Sequence, residues 1–252
     1  METNNDYSLK PGFRNAFGAG WQIMMDNFLR LFLVVIVLAI ITGPYKFIDF
    51  KMDSGDFHGA PWNWNWDDAG SWEHMFGMAS LGIFAAFFAL LAGLYVLLVA
   101  PVFQFGGDMM FVQAARKIKP DFEYFVKGFM ENYLSIILAN LLVFALVVLG
   151  FFALIVPGII IACRLVFVSY IVMDKKLDPI EAVELSWKMT RGHGWKIFLM
   201  GFASFFIIIF GLILLFVGIF PAIIWVGSSF ASLYESVNRE MNKPVEAEVV
   251  AA

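Results

Sequence analysis

The chain has 252 residues, of which 61% are hydrophobic and 15% are charged. Soluble domains contain about 45–50% apolar and about 25% charged residues, so a water-soluble fold could not bury this much apolar surface. The net charge of −4 and the lack of a basic block exclude a nucleic-acid-binding protein, and the composition predicts an all-α integral membrane protein.

Residues 1–27 form a predicted cytoplasmic N-terminus that contains an amphipathic helix after Pro11. Phe13, Phe17 and Met24 recur at the spacing of one helix face, which identifies the apolar side of that helix. The segment lacks the basic-then-apolar order of a cleavable signal peptide. We therefore expect the first membrane span to serve also as the targeting signal.

Long uncharged stretches predict a membrane domain of six helices over residues 28–238, because a bilayer core needs about 20 apolar helical residues. The first span, Leu31 to Tyr45, is short, but flanking residues can extend it. The second span lies within Met75 to Gly107, and an outer loop over 46–74 connects the two. These two spans form the first predicted hairpin.

The second half of the chain predicts two further hairpins. Asn132 to Met173 is interrupted only by Arg164, and Val156-Pro157-Gly158 marks a turn between spans three and four. Ile197 to Tyr234 is nearly twice the length that one span needs, and Pro221 near its middle divides it into spans five and six.

Lysine and arginine concentrate in one set of connections. The N-terminus, the segments after spans two and four, and the C-terminus carry most of them, whereas the outer loop has only Lys46 and Lys51. Basic residues near span ends stay cytoplasmic, so both termini are predicted to be cytoplasmic, with a flexible tail over 239–252.

Proline precedes three short amphipathic segments, which we predict to be interfacial helices. They lie within 1–27 and over 120–131 and 179–191. Each would lie flat on the cytoplasmic surface with its apolar face in lipid. We interpret the chain as three parallel units, each an interfacial helix plus a membrane hairpin, although loose self-similarity is common in helical membrane proteins.

Two motifs carry a resemblance to a known family. Val156-Pro157-Gly158-Ile159-Ile160 and the run from Glu181 to Trp195 resemble uncharacterised YciC-like bacterial inner-membrane proteins, which are related to the membrane domain of some glycerophosphodiester phosphodiesterases. The resemblance extends from about Lys10 to Glu235. It implies a multi-pass domain of the bacterial inner (cytoplasmic) membrane without an established activity. The phosphodiesterase's catalytic barrel has no counterpart here.

Polar residues inside the spans are the first candidate functional residues. Arg164 lies ~10 Å inside either membrane edge by helical rise, where an arginine is expected to face the bundle interior or a water-filled cavity. Asp108 lies at similar depth, which predicts an Arg164–Asp108 pair. Such a pair could be purely structural or could belong to a transport or anionic-lipid site. Asn140 is predicted to hydrogen-bond between helices.

The outer loop alternates aromatic and polar residues around Trp62, Trp64 and Trp66. In an extended strand this alternation places the three tryptophans on one side, as an aromatic belt at the outer membrane interface. A cation site or a carbohydrate platform is the alternative, since acidic residues lie nearby. No metal-ligand spacing is present, so we predict no metal site.

A cytoplasmic cluster of basic residues forms the third candidate site. These side chains could contact anionic lipid headgroups, although the orientation rule alone also accounts for them. The cluster consists of Lys175, Lys176, Lys188, Arg191 and His193.

The sequence contains no catalytic motif, and we expect no cofactor. It therefore predicts a non-enzymatic inner-membrane protein that serves envelope maintenance or scaffolds a membrane partner. Its expected partners are the lipid bilayer and either anionic lipids or another membrane protein, with no nucleic acid. The alternative is a small transporter or lipid-handling protein in which Arg164 lines the path.

The predicted topology can be tested by cysteine accessibility labelling. A cysteine introduced between Lys46 and His74 should react with a membrane-impermeant thiol reagent from outside the cell. A cysteine in the C-terminal tail should react only from the cytoplasmic side, because the basic connections hold that end inside. Reaction of both positions from the same side would contradict the topology.

Overall fold

The structure is a computed structural model that describes residues 9, 11–53, 87–213 and 218–242, with the backbone alone for 42–53. The described residues confirm the all-α class and include no strand. In chain order the helices are α1 (Phe13–Asp26), α2 (Phe28–Asp53), α3 (87–98), α4 (Ala100–Ala115), α5 (Glu123–Met130), α6 (Tyr133–Ala153), α7 (Ile155–Arg164), α8 (Val168–Lys175), α9 (Pro179–Met189), α10 (Gly194–Ile213) and α11 (Ile219–Met241).

Several helical segments are long and apolar enough to cross a membrane. Four meet this criterion, namely Phe87–Ala115, Tyr133–Ala153, Ile155–Lys175 and Gly194–Ile213. A fifth arises if α1 and the first part of α2, bent by 95° at their junction, count as one broken span. Large apolar side chains on these segments are exposed, as Phe144, Phe152 and Phe210 illustrate. An exposed apolar surface of this kind is typical of helices that contact lipid.

Helix α11, which corresponds to the predicted sixth span, does not meet the same criterion of length and hydropathy. Its second half carries Glu235, Arg239 and Glu240, and the helix as a whole contains four serines. The helix is nevertheless deeply buried by the protein, and its residues from Ala231 to Asn238 are all inaccessible to solvent or nearly so. Other helices therefore surround α11, which explains why it can carry so many polar groups.

The turn between α6 and α7 lies slightly earlier than predicted. Leu154 alone leaves the helical conformation, with φ −172° and ψ 159°, and Pro157 falls inside the first turn of α7. The two helices come into backbone contact because Gly150 and Gly158 face each other, and a Cβ at Gly150 would lie 2.9 Å from the Gly158 Cα. A proline in the first turn is compatible with the helix, so the turn does not need it.

Helix α1 packs on protein where the sequence predicted contact with lipid. Ala16, Gly20 and Met24 from its apolar face are buried against α11, while Trp21 remains exposed. The Trp225 indole nitrogen donates to the Phe17 carbonyl at 3.0 Å, which fixes the crossing. Small residues on both helices permit this close approach, and the resulting contact area outweighs lipid contact for that face.

The contacts between the helices follow a regular order around the bundle. The long helices associate in three sequential pairs, α2 with α4, α6 with α7, and α10 with α11. Helices α5 and α9 each pack on the helix that ends just before them, α4 and α8 respectively, and α1 packs on α11 at the end of the chain. Contacts of α4 with α6, α7 with α10, and α11 with α2 then close the arrangement. The first and last parts of the chain are therefore neighbours.

The core is continuous and mainly apolar. It is centred on α4 and α11, and it receives side chains from all the long helices whose side chains are described. Its large, fully buried members include Ile23, Leu31, Met110, Ile136, Phe167, Ile171, Met200, Ile224 and Leu233.

Several predicted boundaries shift. Helix α2 runs to Asp53, so the first residues of the predicted outer loop continue the helix. Helix α11 runs to Met241, so the predicted flexible tail begins inside a helix. The predicted helices over 120–131 and 179–191 are 123–130 and 179–189, and Gly192 has the left-handed φ of +82° after α9. Asp178 and Glu181 have the spacing of a capping box, but Asp178 makes no side-chain cap hydrogen bond.

Gly20 provides a direct test of the contact between α1 and α11. A Cβ at this position would lie 2.8 Å from the Ser229 Cα and in collision with the Ser229 hydroxyl. We expect Gly20→Ala to destabilise the protein by about 1–3 kcal/mol, because the helices must separate. The measurement is thermal unfolding of the protein in detergent.

Gly18→Ala, in the same helix, is the matched control. A Cβ at Gly18 meets nothing within 4 Å. Alanine should therefore be neutral or stabilising by up to about 1 kcal/mol, because it favours the helix. Equal destabilisation by both variants would contradict the proposed role of the contact.

Candidate functional site

Three helix ends bring ionised side chains together at one end of the bundle. Arg116 caps the C-terminus of α4, Asp174 lies in the last turn of α8, and Glu235 lies in the buried half of α11. We call Arg116, Asp174, Glu235, Tyr234 and Arg239 the arginine cluster. Arg116 is 58 residues from Asp174 and 119 residues from Glu235 in the sequence, so only the tertiary fold assembles the cluster.

Arg116 is the centre of the cluster and uses all three of its nitrogens. Its Nη1 and Nη2 donate to the two oxygens of Asp174 at 2.6 and 2.7 Å, and its Nε donates to Glu235 at 2.7 Å. Tyr234 donates its hydroxyl to Asp174 at 2.8 Å, and Arg239 donates Nε to the second oxygen of Glu235 at 2.8 Å. Both oxygens of each carboxylate thus accept at least one hydrogen bond.

The charges are largely withdrawn from water. The side chains of Arg116, Asp174 and Glu235 are 22%, 11% and 7% exposed. The hydrogen bonds to Asp174 hold the pKa of the Arg116 guanidinium above its usual value, so Arg116 is always charged. Asp174 sits at a helix C-terminus, where the dipole disfavours an anion, and the paired arginine offsets that penalty.

An aromatic layer closes the bundle interior beside the cluster. The ring of Tyr234 stacks on Tyr170 with centroids 5.2 Å apart and meets Phe167 edge-on at 5.6 Å. Tyr234 is fully buried, so its hydroxyl requires the hydrogen bond that Asp174 accepts. The cluster therefore separates the apolar core from the end of the bundle.

A cavity of about 280 Å³ opens next to the cluster. Arg116 and Asp174 form one wall, and the opposite wall comes from α5 and the turn that precedes α6. The polar or charged residues in its lining are Gln113, Arg116, Tyr124, Lys127, Glu131, Asn132, Asp174 and Lys176.

The predicted pair of Arg164 and Asp108 is wrong. No ion pair or hydrogen bond connects the two among the described residues, since Arg164 ends α7 on the side of α9 and α10, while Asp108 faces α8. The Arg164 guanidinium lies 5.7 Å from the Trp187 ring, and its buried Nη1 has no hydrogen-bond partner.

The backbone around Arg164 is well anchored. The Ser186 hydroxyl donates to the Arg164 carbonyl at 2.7 Å, and the Thr190 hydroxyl approaches the same oxygen at 3.4 Å. Both hydroxyl residues are fully buried. Helix α9 therefore satisfies the carbonyl that the break after α7 leaves free.

Asp108 and Asn140 are the other two polar residues that the sequence predicts inside the spans. Asp108 is partly buried and lies beside Ser169 and Tyr170 of α8. Asn140 is half-buried in α6, and no hydrogen bond joins its side chain to another of the described residues. The expected interhelical hydrogen bond of Asn140 is therefore absent from the part of the chain described.

The predicted headgroup cluster divides between two places. Lys176 pairs with Glu131 at 2.6 Å beside the arginine cluster, and that hydrogen bond lowers the pKa of Glu131. Lys188, Arg191 and His193 line a separate cavity of about 250 Å³ with residues of α11. Lys175 is half-exposed and borders neither cavity.

The ring nitrogens of His193 make no hydrogen bond with another of the described residues. Its Nε2 lies 3.9 Å from a Glu240 oxygen, and its Nδ1 is buried without a partner.

Trp62, Trp64 and Trp66 lie outside the described residues, so the proposed aromatic belt stays a prediction. The described residues contain no group of three His, Cys, Asp or Glu side chains that could hold a metal ion.

The arginine cluster is the feature that sequence reasoning missed. The lysine and arginine count uses Arg116 and Arg239 for orientation alone, and Asp174 belongs to no site that the sequence predicts. A signal was present in the sequence. Arg116 follows one long apolar segment, and Asp174 and Glu235 follow two others, so opposite charges were available to pair. The sequence could not predict this pairing, because the order of the helices around the bundle is a tertiary property.

Comparison of the chain with protein-family models, with curated proteins and with solved structures finds no match in any of the three.

Removal of Arg116 should be among the most destabilising single changes in the protein. Arg116→Ala leaves Asp174 and Glu235 buried without their shared cation, at a cost of about 3–5 kcal/mol. The loss is measurable as a lower unfolding temperature in detergent and as reduced accumulation in the membrane.

Arg239→Ala is the control within the same cluster. Arg239 is 47% exposed and bonds only one oxygen of Glu235, so its loss should cost about 1 kcal/mol or less. A stability of Arg116→Ala equal to that of Arg239→Ala would show that the cluster does not hold the helix ends together.

Proposed function

We propose that this chain is a non-enzymatic multi-pass protein of a bacterial inner (cytoplasmic) membrane that serves envelope maintenance by scaffolding a membrane partner. The single observation that carries the proposal is the distribution of charge in the bundle. Ionised groups at the helix ends pair with one another, while the large, fully buried side chains of the described core are apolar or aromatic. This arrangement suits a rigid membrane body better than a path for solutes.

The proposed topology has six spans with both termini in the cytoplasm. It is supported by the apolar segments of membrane-spanning length, by the right-angled junction of α1 and α2, and by the distribution of lysine and arginine. Helix α11 would be the sixth span, held in the membrane by the helices that surround it. The resemblance in sequence to YciC-like proteins supports the bacterial inner membrane as the location.

The proposed internal repeat consists of three units. They are α1 with α2 to α4, α5 with α6 to α8, and α9 with α10 and α11. The contacts support this division, because the short helix of each unit packs on the last helix of the unit before it, and α1 packs on α11. A three-unit ring of this kind needs no partner to close it, and its outer surface remains available to lipid and to other proteins.

A transporter or lipid-handling protein is the second candidate function. One observation favours it, namely the buried Arg164 Nη1 without a hydrogen-bond partner. Buried charge of this kind is expensive in a membrane and often marks a functional position. Against it, Arg164 borders neither of the two cavities described above, and Trp187 already covers its guanidinium.

A complementation experiment tests the proposed role. Cells that lack this chain should have a more permeable envelope, measured as uptake of a hydrophobic dye, and expression of the chain should restore the barrier. Arg164→Gln should restore it equally well if the protein is a scaffold. The substitution removes an unpaired buried charge, so the variant is expected to fold.

Arg191→Gln is the matched control, since Arg191 is an exposed arginine that follows α9, the short helix that contacts Arg164. Failure of Arg164→Gln alone, at normal abundance in the membrane, would favour the transport or lipid-handling function. Unchanged permeability in cells that lack the chain would contradict a role in the envelope.

A further inference from the structure

The cavity beside the arginine cluster has a lining rich in hydrogen-bond donors. Its polar walls come from the end of α4, the end of α8, and α5 with the following turn. Its volume of about 280 Å³ approaches the lower end of the range for ligand pockets, about 300–1,000 Å³. We call it the α5 cavity.

Gln113 supplies a fixed donor to the α5 cavity. Gln113 is 6% exposed, and its Oε1 accepts a hydrogen bond from the Asp121 backbone nitrogen at 2.9 Å. That bond determines which end of the amide is oxygen, so the nitrogen is left toward the cavity. No other described residue accepts a hydrogen bond from this nitrogen.

Further donors line the same space. The amide of Asn132 and the hydroxyl of Tyr124 make no hydrogen bond with other residues in the described part of the chain. Lys127 and Lys176 contribute ammonium groups whose present partners, Glu123 at 3.1 Å and Glu131 at 2.6 Å, are themselves exposed. Exposed pairs of this kind are weak and exchange readily for a stronger anion.

The carboxylates of the cavity do not cancel this character. Asp174 already accepts hydrogen bonds from Arg116 and Tyr234, and Glu131 already pairs with Lys176. The lining itself holds three cations and two carboxylates, and Glu235 and Glu123 pair with Arg116 and Lys127 from outside it. The preference for an anion therefore comes from the unused donors and the weakly paired lysines rather than from an excess of positive charge. An occupant with several acceptor oxygens and negative charge fits such a lining best.

We propose that the α5 cavity binds a phosphate group, presented either by an anionic phospholipid headgroup or by free phosphate. Lys127 and Lys176 provide the charge, while the amides of Gln113 and Asn132 and the hydroxyl of Tyr124 orient the oxygens. Arg116 stays bound to its carboxylates and forms the floor of the site. This site goes beyond the scaffolding role and does not depend on it.

Binding can be measured on the purified full-length chain in a neutral detergent. One arm titrates inorganic phosphate by calorimetry, and the other titrates short-chain phosphatidylglycerol with detection by native mass spectrometry. Each lysine is expected to contribute about five-fold to affinity, so the double variant K127Q/K176Q should bind about thirty-fold more weakly. The side chains of Lys127 and Lys176 are 36% and 61% exposed and their ion pairs lie at the surface, so the double variant should fold normally.

Lys175→Gln is the charge-matched control, because Lys175 neighbours Lys176 but does not line the α5 cavity. Gln113→Glu is an independent probe that keeps the oxygen bonded to Asp121 and replaces the amide donor with a second oxygen. We expect it to weaken binding by at least as much as the loss of one lysine.

The two arms identify the source of the phosphate. Binding of phosphatidylglycerol alone, with the loss in K127Q/K176Q, supports a lipid headgroup, and binding of inorganic phosphate with the same loss supports free phosphate. Absence of binding in both arms would overturn the proposal. An equal loss in Lys175→Gln would also overturn it, because general surface charge would then account for the effect.

Discussion

The interaction of Arg116 with Asp174 and Glu235 ties together the ends of three helices that belong to distant parts of the chain. Its strength comes from geometry, since a planar guanidinium matches one carboxylate with two parallel hydrogen bonds and leaves Nε for another. Lysine could not replace it in this role. Arg116 makes these bonds where α4 packs on α8 and on α11, and the aromatic layer around Tyr234 lies beside them.

Close backbone contact is the second constraint on the bundle. Gly20 meets Ser229 where α1 crosses α11, and Gly150 meets Gly158 where α6 returns as α7. Apolar attraction between helices is weak in lipid, so contact of small residues and hydrogen bonds between helices determine which surfaces associate. The hydrogen bond of Trp225 to the Phe17 carbonyl is an example, because it joins the two ends of the sequence.

Several polar groups without partners lie near the short helices α5 and α9, and the buried Ser228 hydroxyl of α11 is another. Arg164 and His193 each hold a buried nitrogen without a hydrogen bond, and the α5 cavity holds unused donors from Gln113 and Asn132. Elsewhere the buried hydroxyls mostly bond to backbone carbonyls, as Ser186 does to Arg164. Unused donors are costly when buried, and they therefore mark the places where a ligand or a partner would stabilise the protein.

The sequence by itself determined the class of the protein and the positions of most helices. Runs of uncharged residues define apolar helices of membrane-spanning length, and prolines and charges limit them, because these are local effects of backbone geometry and desolvation. Tertiary structure alone decided which charges meet. Arg164 and Asp108 lie at similar depth by residue counting but face different helices, whereas Arg116, Asp174 and Glu235 converge from three segments. Depth along a helix follows from the number of residues, but the direction of a side chain around the helix axis matters only once the neighbouring helices are in place.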